Sequence, residues 1–320
     1  MKVFVAGASG ALGRSLVPQL VARGHDVIGM TRTASKRELV HGLGARPVVA
    51  DALDPDQIAQ AVASAEPEVI VHELTALSGT MRAREMRHPE RSPLTIMTTR
   101  LRSEATDHLL AAGRAVGARR FVAQSFAGFR LDRAAGPVLT EDDPIDQCVP
   151  PGLKAGVMAM VHLERAVTGI DWGEGVALRY GGFYGPGTAV SSDADAVMAA
   201  PIRKRRFPIV GDGGGVWSHV HIDDAATATA IAVEHGDTGI YNIVDDEPAP
   251  VREWLPVLAS ALAAKPPRRI PRWLAWLAAG ETATVMMTEA KGSSNAKAKR
   301  DLDWELRYPS WRRGFASGLG

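Results

Sequence analysis

Three glycines near the start of the chain have the spacing of an anion-binding turn. Gly7, Gly10 and Gly13 follow the apolar run of residues 3–6 and precede an amphipathic segment, with a first gap one residue longer than in the common dinucleotide fingerprint. In a strand–turn–helix unit, such glycines allow a tight turn and let the backbone approach a diphosphate at the helix N-terminus. The sequence therefore predicts a dinucleotide site at Gly7, Ser9, Gly10, Ala11, Leu12 and Gly13.

The residues after the second predicted strand favour NADP over NAD. NAD sites usually place Asp or Glu about 20 residues after the glycines, where it binds the ribose 2′-hydroxyl. The corresponding residues 30–33 contain no carboxylate, and Arg32 suits the 2′-phosphate of NADP. We therefore expect NADP(H) as the preferred cofactor and NAD(H) as the alternative, although Arg32 could also be a solvated loop residue. Asp51 and Ala52, after the third predicted strand, are expected at the adenine edge.

The elements that must position these residues alternate between strand and helix patterns. Nearly continuous apolar runs alternate with helical segments up to Tyr180, after which glycine and proline become frequent and the chain turns mostly helical. This pattern predicts an α/β fold, a doubly wound parallel sheet of the Rossmann type with a smaller, mostly helical C-terminal lobe. We expect residues 1–180, joined by residues 218–245, to form the NAD(P)-binding domain. Residues 181–217 and 246–320 are expected to form the substrate-binding lobe.

Composition and charge argue against several classes of function. The 320 residues are 46% hydrophobic and carry a formal net charge of +1, so no global field would attract nucleic acid or a membrane. No apolar run approaches the ~20 residues of a membrane span, and no signal peptide is recognised. The single cysteine, Cys148, cannot form an internal disulfide, which fits a reducing compartment. We expect a cytoplasmic protein that acts on a small molecule and can form a homodimer.

Further motifs, taken together and in order, resemble one family. They are the glycine turn, the Asp51 segment and residues 71–76, 120–125, 179–187, 219–225 and 296–304. These segments resemble extended short-chain dehydrogenases/reductases, specifically the NAD-dependent epimerase/dehydratase family. The resemblance covers nearly the whole chain and implies a nicotinamide cofactor. It also implies further cofactor contacts at Leu74, Thr75, Ala76, Ser125, Tyr180, Gly182 and Phe183.

The catalytic residues of the resembling family are only partly present. In that family a serine binds the substrate oxygen, a tyrosine exchanges its proton, and a lysine four residues later lowers the tyrosine pKa. Ser125 matches the serine. If Glu164 matches the family's helical glutamate, Gly156 takes the tyrosine position and Met160 the lysine position. Because no tyrosine precedes Tyr180, a shift in register cannot restore the pair.

Loss of this pair leaves the proton donor open. We predict Ser125, Lys154 and Tyr184 as the catalytic residues, with solvent exposure as the alternative for Lys154 and core packing for Tyr184. Further candidates for the donor are Tyr180, His219 and His221. Gly156 opens space above the nicotinamide, so the substrate pocket is expected at Gly156, Met160 and Leu77.

Two other clusters allow a functional and a structural interpretation. His219 and His221 alternate along a strand and could share a metal, but we expect a strand end in which Asp223 or Asp224 caps the next helix, and no metal site. The basic stretch of residues 81–91, with Arg100 and Arg102, could attract an anionic substrate group near the cofactor. Its alternative is a solvated helix face.

Three functions remain open at this stage. The prediction is an NADP-dependent oxidoreductase that acts on a carbonyl, a hydroxyl or another electrophilic small molecule with non-standard acid–base residues. The second function is an isomerase, epimerase or lyase that retains its cofactor without net redox change. The third is a non-catalytic NADPH-binding sensor, which the loss of tyrosine and lysine would permit.

Overall fold

The apolar runs of the sequence form a parallel sheet in a computed structural model, which describes residues 1–77, 83–129, 131, 136–145, 149–194 and 196–320. For residues 83 and 84 it describes the backbone alone. Cys148 and residues 81–82 of the basic stretch lie outside the described residues. The strands are β1 Lys2–Ala6, β2 Asp26–Thr31, β3 Arg46–Val49, β4 Val69–His72, β5 Arg120–Phe126, β6 Val138–Leu139, β7 Glu174–Tyr180, β8 Gly182–Tyr184, β9 Ile209–Val210, β10 Val216–Trp217, β11 His219–His221, β12 Gly239–Ile243, β13 Ala249–Pro250, β14 Arg269–Ile270 and β15 Gly292–Ser293.

Helices follow most of these strands, as the alternating pattern predicts. Two short 3₁₀ turns, at Ala34–Lys36 and Pro89–Arg91, accompany them. The α-helices are α1 Ala11–Ala22, α2 Arg37–Gly42, α3 Pro55–Ala65, α4 Ala83–Arg87, α5 Pro93–Val116, α6 Pro151–Thr168, α7 Ala199–Arg203, α8 Ile222–Glu234, α9 Val251–Ala261, α10 Arg272–Thr288, α11 Ala296–Asp301 and α12 Trp311–Ser317.

Seven of the strands form one parallel sheet in the order β12-β7-β5-β4-β1-β2-β3. Strand β1 pairs in parallel with both β2 and β4, so the direction of chain progression reverses at this point. In open α/β sheets, ligands bind in the crevice outside the carboxyl ends of the strands at such a reversal. The expected α/β fold class with a doubly wound sheet is confirmed.

The core lies in two layers, one on each face of the sheet. Leu12, Leu16 and Val17 of α1 pack with the alanine-rich face of α8 on one side. Helices α3, α5 and α6 cover the other side, where Phe121 of β5 and Leu109 of α5 are fully buried. Strands buried on both faces explain why their sequences are apolar throughout rather than alternating.

The C-terminal region adds a smaller, largely helical lobe with its own core. Trp254 of α9 and Trp311 of α12 are almost completely buried there, together with Tyr184 and Phe315. Strand β12 returns from this region to the edge of the sheet beside β7. No helix in the described ranges is long and apolar enough to cross a membrane. The exact domain boundaries that the sequence indicates stay a prediction.

Candidate functional site

The glycine turn between β1 and α1 has the geometry of a diphosphate cradle. Gly7 has a φ of 104°, and a Cβ there would lie 2.8 Å from the Glu73 carbonyl oxygen. A Cβ on Gly13 would lie 2.7 Å from the Cα of Ala8, so only glycine lets α1 start this close to the turn. Helix α1 begins after Gly10, and its first N–H groups point out of the helix end without intrahelical partners.

Arg32 lies where the second strand ends and is exposed. Among the described residues its guanidinium has no hydrogen bond or ion pair, so it is free to meet a ligand. Asp51 is half-buried and accepts a hydrogen bond from the Leu53 backbone at 3.0 Å, which fixes the turn after β3. Ala52 is buried beside it. These residues stand at the ends of adjacent strands, on the side of the crevice away from β5.

The segment after β4 contains a buried acid that the sequence analysis did not single out. Glu73 is 6% exposed, directly beside Gly7, and its Oε2 has no partner among the described residues. The hydroxyl of Tyr180 donates to Glu73 Oε1 at 3.3 Å and lies 2.6 Å from Thr229 Oγ1. Burial raises the pKa of Glu73 well above its usual value, although the Tyr180 hydroxyl opposes this shift. The Tyr180 hydroxyl is therefore engaged in this buried hydrogen-bond network.

The residues that follow Glu73 line the crevice with backbone and small side chains. Leu74, Thr75 and Ala76 are half-buried, and Leu77 is exposed at the rim. The Ala76 N–H donates to Thr98 Oγ1 at 3.1 Å, which ties this segment to α5.

Ser125 belongs to a buried ionic network at the end of β5. Its hydroxyl donates to Glu164 Oε1 at 2.7 Å, and Arg179 donates to both carboxylate oxygens of Glu164 at 2.7 Å each. All three side chains are buried. The hydroxyl proton of Ser125 is therefore already used, and its predicted role at a substrate oxygen stays a prediction that this geometry argues against.

One face of α6 extends from this network towards open space. Gly156, Met160 and Glu164 recur every four residues and so share that face. A Cβ on Gly156 would meet no atom within 4 Å, while Met160 is buried. Lys154 is exposed and lies about 200° around the helix axis from Gly156. The structure therefore does not bring Lys154 to the α6 face that meets Ser125.

Apolar side chains surround this part of α6. Phe126, which follows Ser125 on β5, packs edge-on against Phe129 with ring centroids 5.1 Å apart. The cluster joins α6 to α10 of the C-terminal lobe, so it lies where a substrate between the two regions would rest. Its members are Phe126, Phe129, Leu131, Ile145, Val149, Leu153, Val157, Met160, Trp217, Val285, Met286 and Ala290.

Tyr184 and the two histidines lie in the core of the C-terminal lobe. Tyr184 is fully buried against Phe315 and His221, and burial raises its pKa, so the structure argues against its predicted role as proton donor. Burial lowers the pKa of His219 to about 3 and leaves it neutral. His221 accepts the Asp223 N–H at 3.1 Å and caps α8.

The expectation that Asp223 or Asp224 caps α8 is therefore wrong. Asp223 instead accepts a hydrogen bond from Ser15 of α1 at 2.6 Å. Asp224 accepts the backbone N–H groups of Arg307 and Tyr308 and anchors the C-terminal segment. Both carboxylates connect α8 to neighbouring elements because the imidazole of His221 already occupies the capping position.

Comparison with known proteins identifies this arrangement. The sequence model of the NAD dependent epimerase/dehydratase family matches residues 3–244. The chain belongs to this family. The chain is accordingly an NAD(P)-dependent enzyme of the oxidoreductase/epimerase type.

Relatives within this family include two reductases. The chain is 43% identical to the 3-diazoavenalumate denitrifying reductase of a Streptomyces species, over 98% of this chain and 99% of that protein. It is 31% identical to the 2-alkyl-3-oxoalkanoate reductase of Stenotrophomonas maltophilia, over 82% of this chain and 76% of that protein. The UDP-glucose 4-epimerase of Thermotoga maritima, solved with UDP-glucose, shares the fold with a TM-score of 0.75 at 21% identity, over 100% and 97% of the two chains.

The residues present fit a nicotinamide dinucleotide. Gly7 and Gly13 let the turn and the start of α1 pack closely on neighbouring backbone, and the free N–H groups at the start of α1 suit a diphosphate. The nicotinamide end of such a ligand would extend towards β4 and β5, where Ser125 and Gly156 lie. The sequence analysis missed Glu73 and the pairing of Ser125 with Glu164. An acidic residue directly after a buried strand was the available signal for Glu73.

Proposed function

We propose that the chain is an NADPH-dependent reductase that delivers hydride to an electrophile without a proton from a tyrosine–lysine pair. The observation that carries this proposal is the α6 face, on which Gly156 and Met160 precede Glu164. Glycine has no proton to give, and methionine has no charge to stabilise a phenolate. A substrate whose reduction needs no proton from the enzyme suits such a face.

The preference for NADPH is supported by Arg32. Its guanidinium is exposed and unpaired within the described residues, and the residues around it at the end of β2 include no carboxylate. A 2′-phosphate could accept two parallel hydrogen bonds from this planar group. The carboxylate that usually binds an unmodified 2′-hydroxyl is missing from this position.

A diazo compound is the substrate class that best suits this site. The 43% identical relative is named a denitrifying reductase of 3-diazoavenalumate, and its similarity extends over the full length of both chains. Replacement of a diazonium group by hydrogen forms one C–H bond from a hydride and breaks the C–N bond. The bonding pair leaves with N₂, so the two-electron change is balanced and no external proton is consumed.

The absence of charge at position 160 also favours this class. A diazo group carries positive charge on nitrogen, and a lysine ammonium nearby would repel it. Met160 and its apolar neighbours avoid this repulsion, and Gly156 leaves room for an aromatic ring. A carbonyl substrate, in contrast, develops an alkoxide that must acquire a proton.

Each part of the chain then has a defined task. The glycine turn and Arg32 bind the cofactor, which supplies a hydride when it is bound in the reduced form. Burial raises the pKa of Glu73, which disfavours a negative charge beside the diphosphate at Gly7. The apolar cluster around Met160 orients the substrate and excludes water from the reacting carbon.

A substrate comparison tests this function. Purified protein is mixed with NADPH and either an ortho-diazophenol or a 3-oxo acid, and NADPH oxidation is followed by absorbance. We expect rapid oxidation with the diazo compound and little with the 3-oxo acid. Turnover of the substrate without NADPH oxidation would favour a cofactor-retaining isomerase or lyase, and tight NADPH binding without turnover of any substrate would favour a sensor.

A further inference from the structure

Arg102 of α5 is a buried cation whose Nε has no partner among the described residues. The residue is 5% exposed, and its Nε has no hydrogen-bond partner in the described part of the chain. Within the same described residues, its guanidinium makes no ion pair within 4 Å. Burial lowers the pKa of Arg102 to about 10, and the charge of Glu164 opposes this shift. Arg102 thus remains a cation close to Glu164.

The nearby carboxylate cannot neutralise Arg102. Glu164 accepts two hydrogen bonds from Arg179 and one from Ser125, and its charge is balanced by Arg179. The cluster of Arg102, Glu164 and Arg179 therefore contains two cations and one anion. A buried charge without compensation is costly, so a second anion is expected to complete the cluster when the protein is at work.

The imidazole of His72, which lies near Arg102, is neutral. Burial lowers the pKa of His72 to about 4, with the Leu101 carbonyl opposing and the charge of Arg102 adding to this shift. His72 supplies no negative charge, and no carboxylate of the described residues lies within ion-pairing distance of Arg102, so we look for the counter-ion in a ligand.

The position of Arg102 identifies what that counter-ion belongs to. His72 ends β4 and donates a hydrogen bond from Nε2 to the Leu101 carbonyl oxygen at 3.1 Å, while Glu164 continues the α6 face of Gly156 and Met160. Arg102 is therefore at the carboxyl ends of β4 and β5, beside the face expected to contact substrate. The diphosphate cradle lies at the other side of the crevice, at β1.

We propose that Arg102 binds an oxyanion of the substrate, a phenolate or carboxylate oxygen, next to the reacting group. This assignment rests on the proposed reductase function and adds the chemical class of what it recognises. The cation on α5 meets the substrate at this oxygen, whereas the uncharged Met160 on α6 lies on the face expected to meet the diazo group. In an ortho-diazophenol, the phenolate lies beside the diazo carbon and would fix that carbon for hydride transfer.

Three variants test the assignment. Arg102→Met removes the charge and keeps the length, Arg102→Lys keeps the charge, and Arg100→Met is the control because Arg100 is exposed and pairs with Glu104 on the same helix. Melting temperatures are measured by calorimetry in the presence of NADP⁺, with and without 4-nitrophenolate or benzoate. The two anions distinguish a phenolate site from a carboxylate site.

We expect at least one anion to raise the melting temperature of the wild type and of Arg100→Met, but not that of Arg102→Met. Arg102→Lys should retain part of the rise. Without anion, Arg102→Met should melt at the same temperature as the wild type or higher, because an uncompensated buried charge has been removed. With an ortho-diazophenol and NADPH, kcat/KM of Arg102→Met should fall about 10–100-fold while NADPH affinity is unchanged.

A purely structural role would give the opposite pattern. Marked destabilisation of Arg102→Met, an equal anion effect in Arg102→Met and wild type, or no anion effect in the wild type would each overturn the assignment. The anion could raise the melting temperature through Arg102 while the wild type fails to oxidise NADPH with any diazo compound. That result would refute the proposed reductase function alone. Wild type that reduces the diazo compound, with no loss in Arg102→Met, would refute the Arg102 assignment alone.

Discussion

Arg32 and Arg102 are expected to affect the stability of the fold in different ways. Arg32 is an exposed guanidinium at a strand end, where losing it costs the fold nothing. Arg102 is buried, and no carboxylate of the described residues pairs with it, so its charge lowers stability until a counter-ion binds. A guanidinium without a partner can therefore bind a ligand in either setting, but only the buried one is expected to affect stability.

The role of Arg32 can be measured by cofactor discrimination. Replacing it in Arg32→Ala should weaken NADPH binding by about 1–3 kcal/mol and leave NADH binding almost unchanged, because the charged hydrogen bonds to a 2′-phosphate are lost. Fluorescence titration with both cofactors provides the measurement. Arg114→Ala is the control, since Arg114 is exposed and pairs with Asp171. An equal loss for NADPH and NADH would exclude the 2′-phosphate role.

Restoring the missing pair should change the substrate preference. In Gly156→Tyr with Met160→Lys, tyrosine enters open space and lysine can lower its pKa, so 3-oxo acid reduction should rise at least about tenfold. Reduction of an ortho-diazophenol should fall, since an ammonium now faces the diazo group. Ala155→Tyr with Met158→Lys places the same side chains elsewhere on α6 as a control. Unchanged rates for both substrates would show that this face does not contact substrate.

Sequence alone could predict the residues whose role is local. The glycine turn follows from spacing and backbone geometry within seven residues, and Arg32 follows from its distance along the chain. The hydrogen bond between Ser125 and Glu164 joins residues that are 39 positions apart in the sequence. It occupies the Ser125 hydroxyl, which would otherwise be available to a substrate. Whether a matched residue is available for chemistry depends on such tertiary contacts.

Among the elements, α1 and the turn before it form the unit most sensitive to small changes. The helix is placed by a close approach between its first turn and the backbone of Gly7 and Ala8. In contrast, the buried bridge from α6 to β7 through Glu164 and Arg179 holds the other side of the crevice. Each unit positions one end of the cofactor-binding crevice.

A methyl group at Gly13 tests the close approach of α1 to the glycine turn. Gly13→Ala places Cβ 2.7 Å from Ala8, so α1 must shift and cofactor affinity should fall at least about tenfold, with a stability loss of about 1–3 kcal/mol. Titration calorimetry and urea unfolding measure the two effects. Gly42→Ala, whose Cβ would meet no atom within 4 Å, should leave both unchanged. Normal cofactor binding by Gly13→Ala would contradict the cradle.

The bridge between α6 and β7 should contribute strongly to stability. Glu164→Gln leaves the guanidinium of Arg179 buried without its carboxylate, so the free energy of unfolding should fall by about 3–5 kcal/mol. Urea denaturation checks this value. Arg165→Gln, at an exposed position one residue further along α6, should stay within about 0.5 kcal/mol of the wild type. A loss of similar size in both variants would show that the Glu164–Arg179 ion pair makes no specific contribution to stability.

The bounds of α5 show where pattern-based prediction of an element fails. The sequence pattern indicates a helix from residue 102, whereas α5 begins at Pro93. Residues 95–100 are mostly polar and show little helical periodicity, but Pro93 at the first helical position after Ser92 is a typical start. The added turns matter for the site, because Arg102 becomes an interior helix residue facing the core rather than a fraying end.

At the scale of the whole molecule, the sheet and the C-terminal lobe meet around Asp245. This carboxyl is 1% exposed, accepts the Glu247 N–H at 3.2 Å, and has an Oδ2 without a partner in the described ranges. Burial raises its pKa from 3.8 to about 8, against the hydrogen bonds of Glu247 and Trp311. The folded protein therefore retains a proton on Asp245 that the unfolded chain releases.

Stability should consequently decrease as pH rises through this window. The favourable contribution of protonated Asp245 is complete below the unfolded pKa of 3.8 and is lost as pH approaches the folded value of about 8. Asp245→Asn should flatten the decline of the free energy of unfolding between pH 5 and 8. In the wild type this decline is up to about 1.4 kcal/mol per pH unit for one group. Urea unfolding at several pH values measures the slope, with exposed Asp142→Asn as the control. An unchanged slope in Asp245→Asn would show that the carboxyl is not protonated in the folded state.

The central claim is that hydride reaches an electrophile at the Gly156–Met160 face without a proton from the enzyme. The most direct measurement uses NADPH carrying deuterium at the transferable C4 position, an ortho-diazophenol and the wild-type protein, with analysis of the phenol and of the gas released. The account predicts one N₂ per NADPH oxidised and deuterium at the former diazo carbon. Intact diazo compound, or a product in which the new hydrogen comes only from water, would contradict it.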